Sequence, residues 1–212
     1  MKRTAIIFTA LCLLLALPRN SAAQQVSSQA EIIAALSEAG AAIRSLECDF
    51  VQLRESSLIE GEVRSSGKMY FSEPSKLRWE YLEPEPGAFV LNADKALTIN
   101  AKGRSELNAN TNRMVKGLSS MILGSISGSS LSDQRNFKVS VEEKDGEWVA
   151  TLIPQRKDLR QMWSSIVIRF DKNSECARGI VLNEPGGDRT VIEFSKVKLN
   201  GTIAEELFST QP

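Results

Sequence analysis

The chain has 212 residues, and its 26 Lys and Arg residues balance 26 Asp and Glu residues. This balance argues against a nucleic-acid partner or a polybasic membrane-binding patch, because both need clustered positive charge. The chain contains no histidine, which removes the commonest general base and metal ligand, together with the Ser-His-Asp and Cys-His arrangements. We therefore expect no catalytic residues, no metal and no cofactor.

The N-terminal segment is typical of a secretory signal peptide. A positively charged start precedes an apolar run over residues 5–17, and small residues follow up to Ala23. The run is shorter than the ~20 apolar residues of a membrane-spanning helix. Cys12 follows a leucine, whereas a lipid-attachment cysteine follows a small residue. We expect residues 1–23 to be removed and residues 24–212 to form a single exported domain.

After this segment the sequence predicts a helix. Ser28 and Glu31 have the spacing of a capping box. Apolar residues then recur at alternating steps of four and three, which indicates one apolar stripe along a helix. The stripe consists of Ile32, Leu36, Ala39, Ile43 and Leu46.

Beyond this helix the apolar period changes to two, as in strands with one buried and one exposed face. The predicted strands lie at residues 48–52, 67–72, 77–81, 89–92 and 96–100 in the first half, and at 137–141, 148–153, 162–171, 179–183 and 190–199 in the second. Asp145-Gly146 is a strong hairpin signal. Short strands with turns every 8–12 residues or so predict a sandwich or an up-and-down barrel in which sequence neighbours pair.

One stretch interrupts the strand pattern. Apolar residues between residues 111 and 126 fall at helical spacing, which predicts a short helix inserted in the middle of the sheet. The Ser- and Gly-rich residues 124–132 predict a mobile loop after it.

Two cysteines follow the predicted signal peptide, Cys48 and Cys176. An oxidising compartment permits a disulfide between them, and the loop it closes would add ~4–5 kcal/mol in the chain-entropy model. The alternative is two buried free thiols that act as small hydrophobic side chains. The sequence leaves both open, because a disulfide depends on the distance between the residues in the fold.

One segment resembles the signature hairpin of a known family. Residues 67–84 read G-K-M-Y-F-S-E-P-S-K-L-R-W-E-Y-L-E-P, which is similar to the hairpin of the LolA family, the periplasmic carriers of outer-membrane lipoproteins. Further segments occur in the family's order: the opening helix, Phe50-Val51-Gln52, the helical insert, and residues 148–154, 166–171, 184–194 and 204–208. The resemblance spans nearly the whole predicted mature chain.

The resemblance implies a mainly β fold, an incomplete antiparallel barrel whose helices form a lid over an apolar concave face. It implies a monomeric, non-catalytic periplasmic protein that binds acylated lipoproteins. Its implied partners are an inner-membrane ABC transporter that releases lipoproteins and an outer-membrane lipoprotein receptor. Many family members carry a basic residue before the hairpin proline that helps to hold the lid shut, whereas Glu73 precedes Pro74 here.

We interpret the apolar faces of the predicted strands as a candidate cavity wall and two helical segments as a candidate lid. The wall candidates are Phe50, Met69, Phe71, Leu77, Trp79, Tyr81, Phe89, Leu91, Trp148, Leu152, Ile166, Ile168 and Leu182, and the lid candidates are Leu36, Ile43, Leu118, Met121 and Ile122. The competing interpretation of each wall residue is ordinary core. Alternation predicts which face a side chain is on, but not whether the space inside is filled.

Two other functions stay open from the residues alone. The first alternative to a lipoprotein carrier is a carrier of phospholipid or another lipid, which analysis of lipid extracted from the purified protein would reveal. The second is a periplasmic hydrolase with a pair of carboxylates. No particular carboxylate pair is marked by the sequence.

Overall fold

The computed structural model describes residues 21–57, 61–108, 122, 124–125, 128–173 and 176–210. The lid candidates Leu118 and Met121 and the first 20 residues lie outside these ranges. The described helices are α1 (Ser21–Ala41), α2 (Ser129–Ser132) and α3 (Lys157–Met162), and a 3-10 turn, here the C-terminal turn, covers Glu205–Phe208. The strands are β1 (Ser45–Glu55), β2 (Glu62–Ser72), β3 (Lys76–Glu83), β4 (Gly87–Asn92), β5 (Lys95–Asn100), β6 (Gly103–Asn108), β7 (Phe137–Lys144), β8 (Glu147–Pro154), β9 (Ser165–Asp171), β10 (Ala177–Asn183) and β11 (Arg189–Leu199).

The strands form one antiparallel sheet in the order β6-β5-β4-β3-β2-β1-β11-β10-β9-β8-β7. Sequence neighbours pair throughout both halves, as predicted, and the first and last strands join the halves at the centre. The two edge strands are β6 and β7, so the sheet is not closed. The mainly β, incomplete-barrel prediction is therefore confirmed, and the sandwich alternative is wrong because one sheet contains every described strand.

The strand pattern follows from residue alternation and turn chemistry. In β9, Ile166, Ile168 and Phe170 are buried while the residues between them are not. Asp145 and Gly146 have φ angles of 52° and 80°, which lie in the left-handed region that a tight two-residue hairpin needs. The predicted hairpin between β7 and β8 is confirmed, with Lys144 opposite Glu147.

The first helix differs from its prediction at both ends. It begins at Ser21 and passes through Ser28 without a break, so the capping-box prediction is wrong. It ends at Ala41, and Leu46 lies in β1 instead of on the helical stripe. Leu46 would be buried either on a helical stripe or in β1, so its apolar character did not reveal where the helix ends.

Two predictions in the second half are also wrong. Residues 157–162 form α3, so the strand predicted to start at Met162 begins three residues later, at Ser165. The predicted mobile loop at residues 124–132 contains α2 and the buried Ser125, Ser130 and Leu131. Small residues here permit a helix to approach α1 closely, as at Gly128. Strand β6 and the C-terminal turn have no counterpart among the predicted elements.

The C-terminal turn covers part of the sheet face opposite the main core. Phe208 is fully buried, and its carbonyl oxygen accepts a hydrogen bond from the Asn92 side chain at 3.2 Å. The Arg78 guanidinium reaches the Leu207 carbonyl oxygen at 3.4 Å. A second small core of Ala88, Val90 and Leu97 lies in β4 and β5. The end of the chain thus packs on this side of β3 and β4.

Candidate functional site

The wall candidates come together on one side of the sheet, here called the inner face. Ten of the thirteen are buried, and Tyr81, Phe89 and Trp148 are half-buried and pack against the same core. The register brings them together, because Met69 lies opposite Trp79 and Trp79 lies opposite Phe89. Positions that face inward on one strand therefore meet inward positions on the next.

An aromatic cluster occupies the middle of the inner face in β1 and β3. The Phe50 ring lies 4.4 Å from the Trp79 ring and 5.4 Å from the Tyr81 ring, centroid to centroid, and the second pair meets edge to face. Trp79 also meets Phe194 of β11 at 6.4 Å. Such edge and tilted arrangements are favourable for aromatic pairs. The cluster links β1, β3 and β11 through ring contacts on the inner face.

The position opposite Phe50 requires glycine. A Cβ atom on Gly67 would lie 1.8 Å from the Glu80 carbonyl oxygen and 2.9 Å from the Phe50 ring. The ring therefore lies across β2 only because Gly67 has no side chain. This close approach gives a physical reason for the glycine that begins the hairpin motif.

Helices α1 and α2 pack against the core of the inner face through Leu36 and Leu131, and Ile43 follows the end of α1. Leu36, Ile43 and Ile122 are buried in the main core, so the three lid candidates that the structure describes all lie against it. The Ser37 hydroxyl group donates to the Gly128 carbonyl oxygen at 3.3 Å and lies 2.9 Å from the Ser132 hydroxyl oxygen. These bonds join α1 to α2.

The close approach of α1 and α2 depends on Gly128. Its φ angle is 65°, and a Cβ atom there would lie 2.8 Å from the Leu36 carbonyl oxygen and 2.8 Å from the Ser37 Cα atom. Both the left-handed backbone and the short distance exclude a larger residue without strain. The contact between the two helices, here called the cover contact, is formed by Ser37, Gly128 and Ser132.

A small pocket lies among the described residues of the inner face. It lies between β1, β2, β10 and β11, has a volume of about 10 Å³ and is lined by Leu46, Cys48, Met69, Cys176, Ala177, Phe194 and Val197. That is room for about one water molecule, whereas cavities for organic ligands are typically about 300–1,000 Å³. This pocket by itself does not hold a hydrocarbon chain.

Comparison with known proteins shows to which family the chain belongs. The family model described as "Outer membrane lipoprotein carrier protein LolA" matches residues 41–211, most of the chain. The chain belongs to the LolA family. None of the helices within the described ranges has the length and apolar character needed to cross a membrane.

Individual relatives agree with this family. An outer-membrane lipoprotein carrier protein of Chromohalobacter salexigens is 27% identical over 199 residues, which cover 92% of this chain and 87% of the relative. One of Methylococcus capsulatus is 22% identical over 170 residues, covering 80% and 78%. A crystal structure of an uncharacterized conserved protein from Thermus thermophilus has a TM-score of 0.51 at 11% identity, covering 86% of this chain and 94% of that one. The last likeness concerns the fold alone.

Glu73 precedes the hairpin proline of this LolA-family chain. Glu73 is exposed at the turn between β2 and β3. Its backbone N–H donates to the Arg44 carbonyl oxygen at 2.8 Å, and its carboxylate lies 3.9 Å from the Arg44 guanidinium. Glu73 thus attaches the hairpin to the segment between α1 and β1. The cover contact joins α1 and α2 elsewhere, through hydroxyl and backbone groups.

The two cysteines of the LolA domain are buried free thiols in the structure. Both line the 10 Å³ pocket. Burial, followed by the neighbouring Cys176, raises the pKa of the Cys48 thiol to about 12. Burial also raises the pKa of the Cys176 thiol. Neither thiol is therefore suited to act as a nucleophile in the folded chain.

Charged residues of this LolA-family chain lie on the opposite, outer face. The Asp49 carboxylate contacts the Lys196 ammonium at 2.7 Å and the Lys68 ammonium at 3.1 Å, and both hydrogen bonds lower the pKa of Asp49. A bulge between β1 and β11 shifts the register here, so that Val197 packs on the core while Lys196 pairs outside. No Asp or Glu is buried in the described part of the chain.

Several inner-face residues were missed by the sequence analysis. Phe170 and Phe194 are buried in the main core with Ile180 and Ile192. Each continues the alternation of a strand that was predicted, so the same parity rule applied to residues 162–171 and 190–199 would have found the two phenylalanines. Leu46 and Phe137 are also in this core, although Leu46 was predicted on the helical stripe and Phe137 was predicted in a strand without being named as a wall residue.

Proposed function

We propose that the protein binds the acyl chains of lipoproteins between its inner face and its helical cover, and carries them through the periplasm from the inner to the outer membrane. One observation supports this most directly: a LolA-family chain presents a continuous apolar sheet face beneath helices that are not part of the sheet. The proposed partners are an inner-membrane ABC transporter that supplies the cargo and an outer-membrane lipoprotein receptor that accepts it.

The physical need for a carrier comes from the cargo. Each CH₂ group of an acyl chain costs ~0.8 kcal/mol when it is exposed to water. A lipoprotein with two or three long chains therefore does not cross an aqueous compartment unaided. An apolar surface suits the task because hydrophobic attraction is non-directional and tolerates different chains.

Release needs an affinity that is not too high, and the contacts between the inner face and its cover provide the reason. Before an acyl chain enters, contacts between the inner face and residues such as Leu36 and Ile122 have to be broken. The chain then replaces these apolar contacts with similar ones, so much of its binding free energy offsets the opening. The net affinity is moderate, which permits transfer to a receptor.

The same proposal places the protein in the periplasm and gives it a binding role without catalysis. The apolar N-terminal run with its small-residue end supports export to the periplasm. The absence of histidine and the position of the carboxylates on exposed surfaces favour a binding protein over a hydrolase.

The decisive experiment identifies the cargo. The protein is purified from periplasmic extract, its bound lipid is extracted, and the extract is analysed by mass spectrometry. Acylated peptides are expected. If only phospholipid is found, the protein transports lipid and not lipoprotein. If the folded protein carries neither and does not bind a triacylated lipopeptide, the proposal is overturned.

A matched pair of variants tests the surface. Phe89 is half-buried on the inner face, and Phe89→Ala removes an apolar group worth ~1.5–3 kcal/mol when fully covered, so lipopeptide affinity should fall by about tenfold or more. Ile153 is 43% exposed, and its neighbour Leu152 faces inward, so Ile153→Ala removes a similar apolar surface from the outer face. Its lipopeptide affinity should equal that of the wild type, and a loss equal to that of Phe89→Ala would contradict the assignment of faces.

A further inference from the structure

Positively charged side chains gather at one end of β7 and β8. They come from two segments, residues 135–138 and 156–160, which the fold brings side by side. The Gln155 backbone N–H donates to the Asn136 carbonyl oxygen at 2.8 Å, and the Gln155 side chain donates to the Gln134 carbonyl oxygen at 3.0 Å. All of these cations are exposed. The cluster, here called the basic end, consists of Arg135, Lys138, Arg156, Lys157 and Arg160.

Most of this charge has no carboxylate partner in the described part of the chain. Arg156 pairs with Asp158 at 2.6 Å, whereas the other four cations form no ion pair with a residue that the structure describes. The Arg160 guanidinium donates to the Gln155 carbonyl oxygen at 2.7 Å, which keeps it against the same end of β8. Asp133 is the other acid close to these segments in sequence. Five cations against two carboxylates give the basic end a local net charge of +3.

Apolar side chains lie beside the basic end. Ile153 is 43% exposed and lies opposite Lys138 in the ladder between β7 and β8, so both side chains are on the outer face. Leu159 and Trp163 are half-buried and pack against the core, and Met162 between them in sequence is also half-buried. Cations that adjoin partly exposed aliphatic and indole groups are typical of protein surfaces that lie in the headgroup region of a membrane.

We infer that the basic end docks the protein on the surface of a bilayer that contains anionic phospholipid. The phosphate headgroups supply the negative charge, and Ile153 reaches the boundary between headgroups and acyl chains. An acidic protein surface would use the charge alone, so the adjoining apolar residues favour a bilayer. The even charge of the whole chain does not prevent docking, because the attraction acts within a Debye length of ~8–10 Å and depends on the local cluster.

Docking in this orientation places the helical cover near the membrane. Helix α2 ends at Ser132, three residues before Arg135, and Ser132 belongs to the cover contact. A docked protein therefore holds the junction of α1 and α2 beside the bilayer. This inference goes beyond the proposed function and does not depend on the identity of the cargo.

The test measures binding of the purified protein, stripped of lipid, to sedimented vesicles. Vesicles of phosphatidylcholine are compared with vesicles of an equal mixture of phosphatidylcholine and phosphatidylglycerol. Each Lys or Arg near an anionic surface strengthens binding up to about fivefold. The net charge of +3 therefore predicts a preference for the anionic vesicles of about tenfold to 100-fold at low salt, and this preference should weaken as the salt concentration rises.

Charge reversal at the basic end should remove the preference. The variant combines Arg135→Glu, Lys157→Glu and Arg160→Glu, all at exposed positions, and it should bind anionic vesicles no better than neutral ones. Circular dichroism and the Tm verify that it is folded.

A control variant has the same net charge with the change placed elsewhere. It combines Arg64→Glu, Lys95→Glu and Lys102→Glu, which replace exposed cations of β2, β5 and the turn after β5. These strands belong to the half of the sheet away from β7 and β8. The control should keep most of the wild-type preference for anionic vesicles.

The comparison gives outcomes that overturn the inference. A wild type that binds both kinds of vesicle equally overturns it, and so does an equal loss of binding in the two triple variants. A glutamate-rich peptide that binds at the basic end of a protein that binds no vesicles would also overturn it, and would assign this surface to an acidic protein partner. None of these results bears on lipopeptide binding, so the proposed function is tested separately.

Discussion

Joining α1 to α2 covalently tests whether the cover has to move. The Ser37 and Ser132 hydroxyl oxygens lie 2.9 Å apart, so cysteines at these two positions are close enough to form a disulfide. The substitutions Ser37→Cys and Ser132→Cys are made in a Cys12→Ala background. The native Cys48 and Cys176 are buried and should remain as free thiols in the folded protein.

The size of the effect follows from the fold. The two serines are 95 residues apart in sequence, and closing a loop of that length stabilises the folded state by at most about 4–5 kcal/mol in the chain-entropy model. At ~2–4 °C per kcal/mol for a domain of this size, oxidation should raise the Tm by up to about 10–20 °C. The proposed acyl site lies between the inner face and the helices that pack on it, so holding α1 and α2 together should hinder the entry of an acyl chain.

The assay is binding of a fluorescent triacylated lipopeptide before and after reduction. The oxidised double variant should bind at least about tenfold more weakly than the wild type, and a reductant should restore binding. Ser37→Cys alone, treated with the same oxidant, should bind like the wild type. If the cross-linked protein, verified by its mass, takes up lipopeptide as fast as the wild type, then the cover does not need to open at α1 and α2.

Three further predictions concern single positions. Gly128→Ala places a Cβ atom 2.8 Å from the Leu36 carbonyl oxygen at a φ of 65°. We therefore expect a loss of ~1–3 kcal/mol in the free energy of unfolding and stronger binding of a hydrophobic dye. Unchanged dye fluorescence would show that the cover contact is not weakened. Gly67→Ala places a Cβ atom 1.8 Å from the Glu80 carbonyl oxygen, and its urea midpoint should fall by the equivalent of ~2 kcal/mol or more; an unchanged midpoint would contradict the close approach. The Cys48 pKa is raised from 9.0 to about 12, so its thiolate fraction at about pH 8 falls roughly 1,000-fold. Alkylation of folded protein should be slower by that factor or more and should accelerate as pH rises, whereas equal rates in folded and denatured protein would show that the thiol is not buried.

The LolA-like character of the chain was readable from its residues. Alternation identified the strands around Phe50, Trp79 and Ile168, because a strand with one buried face repeats every two residues whatever its neighbours are. The hairpin at Asp145-Gly146 was readable for a similar reason, since positive φ angles restrict the residues that fit. The binding role of the wall and lid residues stays a prediction.

Other features depended on contacts between distant segments. The pairing of β1 with β11 brings residue 50 beside residue 194, and no local signal encodes that choice. Residues 129–132, which composition assigned to a loop, form α2, and this helix contacts α1 through Ser132 and buries Ser130 and Leu131. The bulge that turns Lys196 outward arises from a mismatch in register between two strands.

The sequence by itself determined which side chains are apolar and which face of each strand they occupy, because side-chain direction is a property of the local backbone. Only the tertiary structure decided that these faces meet in one core, and that distant polar groups such as Tyr81 and Gln52 pair through a hydrogen bond. Packing density and hydrogen-bond pairing are properties of several segments at once, so they appear only when those segments are brought together.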